Sequence, residues 1–284
     1  MCTSWGAALD YLTPIRLQDA LTALETGAPS IIAGGTDWYP VQGEKPIRCD
    51  MLDVTRIEGL RGISRDAKGW RIGAASTWTD IINTDLPHAF DGLKAAAREV
   101  GSVQIQNAGT IAGNLCNASP AADGVPPLLT LNAQVELGSL NGTRVLPLSD
   151  FITGVRQIAL EADELVTAVF IPDLSKTRKS SFVKLGARKY LVISIAMVAV
   201  TCEVTEGVLS DVHVAVGSCS PVAQRLVELE AALEGVRVND VETVIANADL
   251  SRLSPIDDVR GSGGYRLDVV APLIKRALKE AAHG

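Results

Sequence analysis

Apolar residues near the start of the chain recur at helical spacing and then give way to short unbroken runs. Leu17, Ala20, Leu21 and Leu24 fall on one helical stripe, with Gly27 placed to end it, and residues 10–14 before it read as a short strand. Residues 29–33 form a brief apolar strand that breaks into Gly34-Gly35-Thr36-Asp37. Residues 51–54, 60–63 and 70–74 predict further strands, and residues 77–83 a short helix. Phe90, Leu93, Ala97 and Val100 line one face of a helix over residues 89–100 that stops at Gly101. Beyond a stretch of small residues, apolar strand-like character returns at 128–131, 133–137 and 144–147, and a strand over 165–171 ends at Pro172.

From residue 172 the pattern changes. Residues 172–181 (PDLSKTRKSS) are polar, basic and proline-led, the composition of a linker. Strands over 182–185, 192–204 and 208–216 then predict an antiparallel meander, the last two joined by a Thr-Glu-Gly turn. Amphipathic helices follow near 222–233, 241–248 and 265–278, where Pro272 predicts a kink or a late start. The fold class is α+β.

Composition narrows the picture. The 284 residues are 47% hydrophobic and 21% charged, enough for a large core and two or three domains. A net charge of −7 without a long basic run argues against nucleic acid or an anionic membrane as partner. The most apolar stretch, residues 191–200, is about half the ~20 residues of a membrane helix, and the N-terminus lacks the pattern of a secretory signal. The expected location is the cytoplasm. Cys2, Cys49, Cys116, Cys202 and Cys219 contain no close pair, which argues against a metal knuckle or a cluster bound by this chain alone. His88, His213 and His283 carry no metal or nucleophile motif.

Candidate chemistry concentrates in residues 101–123, GSVQIQNAGTIAGNLCNASPAAD. Glycine, alanine, asparagine and small hydroxyl residues let a backbone approach a ligand closely and hydrogen-bond to it, which suggests the wall of a cofactor site. Gly34-Gly35-Thr36 at a strand end is the composition of an anion-binding nest, although such a triplet alone is more often an ordinary turn. It does not follow the G-x-G-x-x-G spacing of a Rossmann site. Asp37 reads as a turn cap or ion-pair partner, because a carboxylate repels a phosphate. By residue type alone, Asp123 is a cap, Lys184 a solvated strand lysine, Ile193 core and Cys116 a small buried residue.

Taken together and in order, IIAGGTDW at 31–38, GTIAGNLCNASPAAD at 109–123, DELVTAVFIP at 163–172, FVKLGAR at 182–188 and SPIDDVRGSGGYR at 254–266 resemble the flavin-binding medium subunit of the xanthine dehydrogenase and carbon monoxide dehydrogenase family of molybdenum hydroxylases. The resemblance spans nearly the whole chain. It implies a two-subdomain FAD-binding fold of the vanillyl-alcohol-oxidase type, over 1–57 and 58–174, and a C-terminal α+β domain over 175–284. It also implies FAD bound by Ile32, with Ala33, Gly34, Gly35, Thr36 and Asp37 cradling the pyrophosphate through backbone amides and the Thr36 hydroxyl, and by Gly101, Gly109, Thr110, Gly113, Asn114 and Cys116 along the central segment. Asp123 would accept from ribityl hydroxyls, with Val166, Lys184 and Ile193 around the isoalloxazine ring, where Lys184 would favour reduced flavin. The chain departs from the family at Gln106, where arginine is frequent, at Ala112 for the first glycine of a common GGN, and at Gly154-Val155-Arg156 for a frequent Gly-Pro-Gly.

The function so implied is electron transfer within a complex. A molybdenum-cofactor large subunit oxidises the substrate, an iron–sulfur small subunit passes electrons on, and the FAD of this chain delivers them to a terminal acceptor. Two alternatives stand beside it: a self-contained flavin-dependent oxidoreductase of the same fold, and a binding module that has lost its flavin.

Overall fold

Burial of the first helical stripe organises the N-terminal layer. A computed structural model describes residues 9–283; residues 1–8, with Cys2 and the start of the first expected subdomain, lie outside the described residues. Strand β1 (Tyr11–Leu12) leads to α1 (Leu17–Gly27), β2 (Ser30–Ile32), α2 (Trp38–Gln42) and β3 (Met51–Asp53), and β3 lies between β1 and β2, parallel to both. Ala20, Leu21 and Leu24 of α1 pack on Leu52, Val54 and Ile57. Helix α1 runs through Gly27, and Ala28 takes the left-handed turn at φ 45°, its N–H on the Leu24 carbonyl.

The second layer is an antiparallel sheet faced by short helices. Its elements are β4 (Ile63–Arg65), β5 (Gly69–Gly73), α3 (Trp78–Asn83), α4 (Asp91–Glu99), α5 (Val103–Ala108), α6 (Ile111–Asn117), α7 (Val125–Thr130), β6 (Gln134–Ser139), β7 (Gly142–Pro147), α8 (Leu148–Phe151), the small hairpin β8 (Ile152–Gly154) and β9 (Gln157–Ile158), and β10 (Leu165–Pro172). The sheet order is β4-β5-β10-β6-β7. Residues 128–131, expected as strand, are instead largely helix α7. Pro126 and Pro127 pre-set its first turn, and burial on every side erases the periodicity that separates a helix from a strand.

The third layer is the meander β11 (Lys179–Leu185), β12 (Ala196–Thr205), β13 (Val208–Gly217) and β14 (Gln224–Arg225), covered by α9 (Val227–Leu233), α10 (Val241–Ala246) and α11 (Gly263–His283). Strand β11 begins inside the stretch expected as linker. Strand β12 begins four residues later than expected, because Leu191 takes φ 53° and pairing with β11 starts at Ala196 against Leu185. Pro272 neither kinks α11 into two helices nor delays it. Both Pro272 and Asp268, whose carbonyl it leaves without a donor, are exposed, so water satisfies that carbonyl.

Several contacts tie the second and third layers, two of them away from the cavity. Gly92 of α4 meets β11 so closely that a Cβ would lie 2.8 Å from the Ser181 carbonyl oxygen, and its N–H donates to Ser180 Oγ at 2.8 Å. At α7 the Thr130 carbonyl oxygen accepts from Thr201 Oγ1 at 3.1 Å and from His213 Nδ1 at 2.7 Å. Burial holds the His213 imidazole below its ordinary value of 6.5, the cations Arg225 and Arg178 act in the same direction, and the Thr130 carbonyl opposes them. A depressed histidine contributes stability that is complete above 6.5 and is lost as pH falls through the folded-state value. Thermal melts from pH 7.5 to 5 should therefore show a midpoint that declines on acidification, and His213→Gln should flatten that decline.

Candidate functional site

A cavity of about 990 Å³ lies between the first two layers and the loop that precedes β12, at the upper end of the range for small-molecule sites. Ile32, Ala33, Gly34, Gly35, Thr36 and Asp37 border it on one side, and Gly101, Gly109, Thr110, Gly113, Asn114, Cys116 and Asp123 on the other, with Val166 and Ile193 completing the wall. Lys184 alone among the expected site residues does not border it.

The first limb is the turn after β2. Among the described residues no group accepts from the backbone N–H of Gly34, Gly35, Thr36 or Asp37. Such a run of unpartnered amides at a cavity wall is the hydrogen-bonding demand that a phosphate satisfies. Gly35 has φ 68°, and a Cβ there would strike the Tyr39 ring at 2.7 Å. Asp37 opens α2 without a side-chain cap bond and forms no ion pair among the described residues, so neither role read for it from sequence is realised.

The second limb is helical. Ser102 and Thr110 cap α5 and α6, Thr110 Oγ1 accepting from the Gly113 N–H at 3.0 Å. Ile111 and Leu115 of α6 are fully buried, so this stretch also contributes to the core. Asn114 borders the cavity, and its Oδ1 is buried beside Gly124 without a donor. Ala112 is 7% exposed and packs into the core below α6, so much of its extra methyl lies away from the cavity. Gln106 turns inward and donates to the Arg98 carbonyl at 2.9 Å.

The limbs meet backbone to backbone at Gly34 and Ala108. A Cβ on Gly34 would lie 1.8 Å from the Ala108 carbonyl oxygen. Trp78 wedges behind the second limb: its N–H donates to the Gly109 carbonyl at 3.2 Å, and its ring leaves no room for a Cβ on Gly124, at 2.4 Å.

Asp123 closes the far end. Its two carboxylate oxygens accept from Lys184 Nζ and Ser194 Oγ, each at 2.7 Å, and Lys184 Nζ also donates to the Glu99 carbonyl at 3.3 Å. Burial pushes the Asp123 carboxyl above the ordinary aspartate value, while Lys184 and Ser194 pull it back. Two donors leave lone pairs on the carboxylate for a hydroxyl from the cavity.

Sequence reading missed several wall residues, including Trp78, Asn117, Ser119, Arg156, Leu160 and Leu191. Arg156 was signalled only as a departure from a glycine-rich run; Trp78 followed a legible cap, Thr77, at the head of α3.

Unpartnered amides and a cavity of about 990 Å³ fit a dinucleotide cofactor. Residues 7–174 match the family model described as the FAD binding domain in molybdopterin dehydrogenase, and residues 181–281 match the CO dehydrogenase flavoprotein C-terminal domain. The chain belongs to the FAD-binding medium subunits of the molybdenum hydroxylases. This medium subunit is 31% identical over 278 residues to the nicotine 6-hydroxylase medium subunit of Paenarthrobacter nicotinovorans, covering 96% of this chain and 97% of that one. It is 31% identical over 276 residues to the glyceraldehyde dehydrogenase medium chain of Sulfolobus acidocaldarius, covering 96% and 98%. Among solved structures, a chain of carbon monoxide dehydrogenase from Hydrogenophaga pseudoflava superposes with a TM-score of 0.88 at 26% identity, covering 96% of each chain.

Two substitutions test this geometry in the medium subunit. Gly34→Ala should force the limbs apart at a cost of about 1–3 kcal/mol and lower FAD content in absorption spectra of the purified protein. Lys184→Met should strand the Asp123 carboxylate at about 3–5 kcal/mol, read as a lower midpoint in chemical denaturation; Lys184→Met with Asp123→Asn should recover much of that loss.

Proposed function

We propose that this chain is the FAD-carrying electron-transfer subunit of a heterotrimeric molybdenum hydroxylase, working with a molybdenum-cofactor large subunit and an iron–sulfur small subunit in the cytoplasm. The observation that carries the reading is the pair of limbs meeting at Gly34 and Ala108 with the amides of residues 34–37 unpartnered. Bound FAD takes electrons singly and releases them in pairs, which suits it to connect iron–sulfur centres to a terminal acceptor.

The chain's own residues bind and orient. Residues 33–37 would hold the pyrophosphate through their amides and the Thr36 hydroxyl, Ile32, Gly101, Gly109, Thr110, Gly113, Asn114 and Cys116 would line the cofactor, and Asp123 would hold the ribityl chain. Val166 and Ile193 face the ring system, with Lys184 acting through Asp123. Residues 1–57 and 58–174 form the two FAD-binding subdomains, and 175–284 the C-terminal domain.

Electron transfer is favoured over turnover of a carbon substrate on this chain by the side chains at the cavity. No histidine borders it among the described residues, and burial pushes the Cys116 thiol up to about 12, so it is not a nucleophile at neutral pH. No helix among the described residues is long and apolar enough to cross a membrane.

Purification of the complex from its native source should recover this chain with about one FAD, together with molybdenum and iron on partner chains. Recovery without any molybdenum or iron–sulfur chain, or rapid reduction of the flavin in the isolated chain by small organic substrates, would contradict the proposal.

A further inference from the structure

Among the described residues only one cationic side chain borders the cavity, and it is not Lys184. The charged residues on the wall are Asp37, Asp123 and Arg156. Lys184 spends its charge on Asp123 at 2.7 Å, so that pair presents almost no net charge to a ligand. Arg156 forms no ion pair among the described residues. Its Nη1 donates to the Asn117 carbonyl at 3.0 Å and to Asn117 Oδ1, and its backbone N–H donates to the Ala118 carbonyl at 2.9 Å. All these acceptors are neutral, so the exposed cation beside the cavity is screened by water but offset by no anion among the described residues.

The place of Arg156 in the fold sets what it faces. The unpartnered amides of residues 34–37 lie beside Ala108 and Gly109, just before α6 begins, whereas Asn117, which holds Arg156, ends that helix. Seven residues of helix separate the two ends by roughly 10 Å. Arg156 therefore stands at the end opposite the phosphate limb. The backbone there has φ 59°, a conformation that glycine adopts freely and arginine does not.

We propose that Arg156 is the cation that faces the flavin end of the cofactor and favours its reduced, negatively charged form, the role that the sequence resemblance assigns to Lys184. The proposal rests on the FAD reading above. The guanidinium stabilises negative charge that appears on the ring system as electrons arrive, and so raises the potential at which this subunit collects them. Asn117 is the positioning residue that aims it.

Spectroelectrochemical titration of the FAD-loaded protein tests this. Arg156→Gln should weaken binding of reduced relative to oxidised flavin about tenfold, a fall of about 30 mV in the two-electron potential. Arg156→Lys, which keeps the charge, should stay within a few millivolts of the parent. A parent protein that takes up no FAD would contradict the FAD reading itself. A parent that holds FAD, beside an Arg156→Gln variant of unchanged potential, would overturn the role of Arg156 alone. That role is equally overturned if Arg156→Lys falls as far as Arg156→Gln, or if Arg156→Gln fails to fold or folds and binds neither form of flavin. Any of those results would leave Arg156 as a cap on α6 or a general binding residue.

Discussion

The site depends on a contact in which no side chain takes part. Gly34 lies against the Ala108 carbonyl with no space for a single methyl between them. The contact joins the turn after β2 to the junction of α5 and α6, two segments from different layers of the molecule. At this turn, four successive N–H groups of residues that border the cavity have no protein partner among the described residues. A dinucleotide that binds them replaces water on these amides and stabilises the folded chain by mass action. The amides that give the cofactor its hold are the ones the fold leaves without a protein partner.

At the other end of the cavity, charge does what close packing does at the first. Asp123 belongs to the second layer, and Lys184 and Ser194, which grip it, belong to the third. Positioning of this carboxylate therefore depends on docking of the C-terminal sheet, and the hydrogen bonds at Thr130 and the fit of Gly92 on β11 hold that docking in place. Through this arrangement the C-terminal domain shapes a cofactor site while lending it few wall residues, chiefly those of the loop before β12.

Much of this was legible in the chain, and what was hidden follows a physical pattern. Local signals served well: the stripe of α1 and the apolar pattern of β13 each state their own structure. Small-residue composition also located both limbs. It concealed their conformation, because Ser102 and Thr110 cap helices that expose little apolar periodicity. The apolar run that became α7 carried no period at all. Interactions between distant segments were the least visible. Lys184 and Asp123 are separated by 61 positions, and nothing near either residue in sequence announces the other. Arg156 faces the cavity only because α6 ends beside it.

The central claim is that the amides of residues 34–37 are left unpartnered until a cofactor takes them. Hydrogen exchange on the flavin-free chain, with and without added FAD, measures this directly. Peptides covering residues 33–38 should exchange rapidly without FAD and become strongly protected with it, together with those covering 109–114. Equal exchange in the two states, or protection of 33–38 before any flavin is added, would contradict the account.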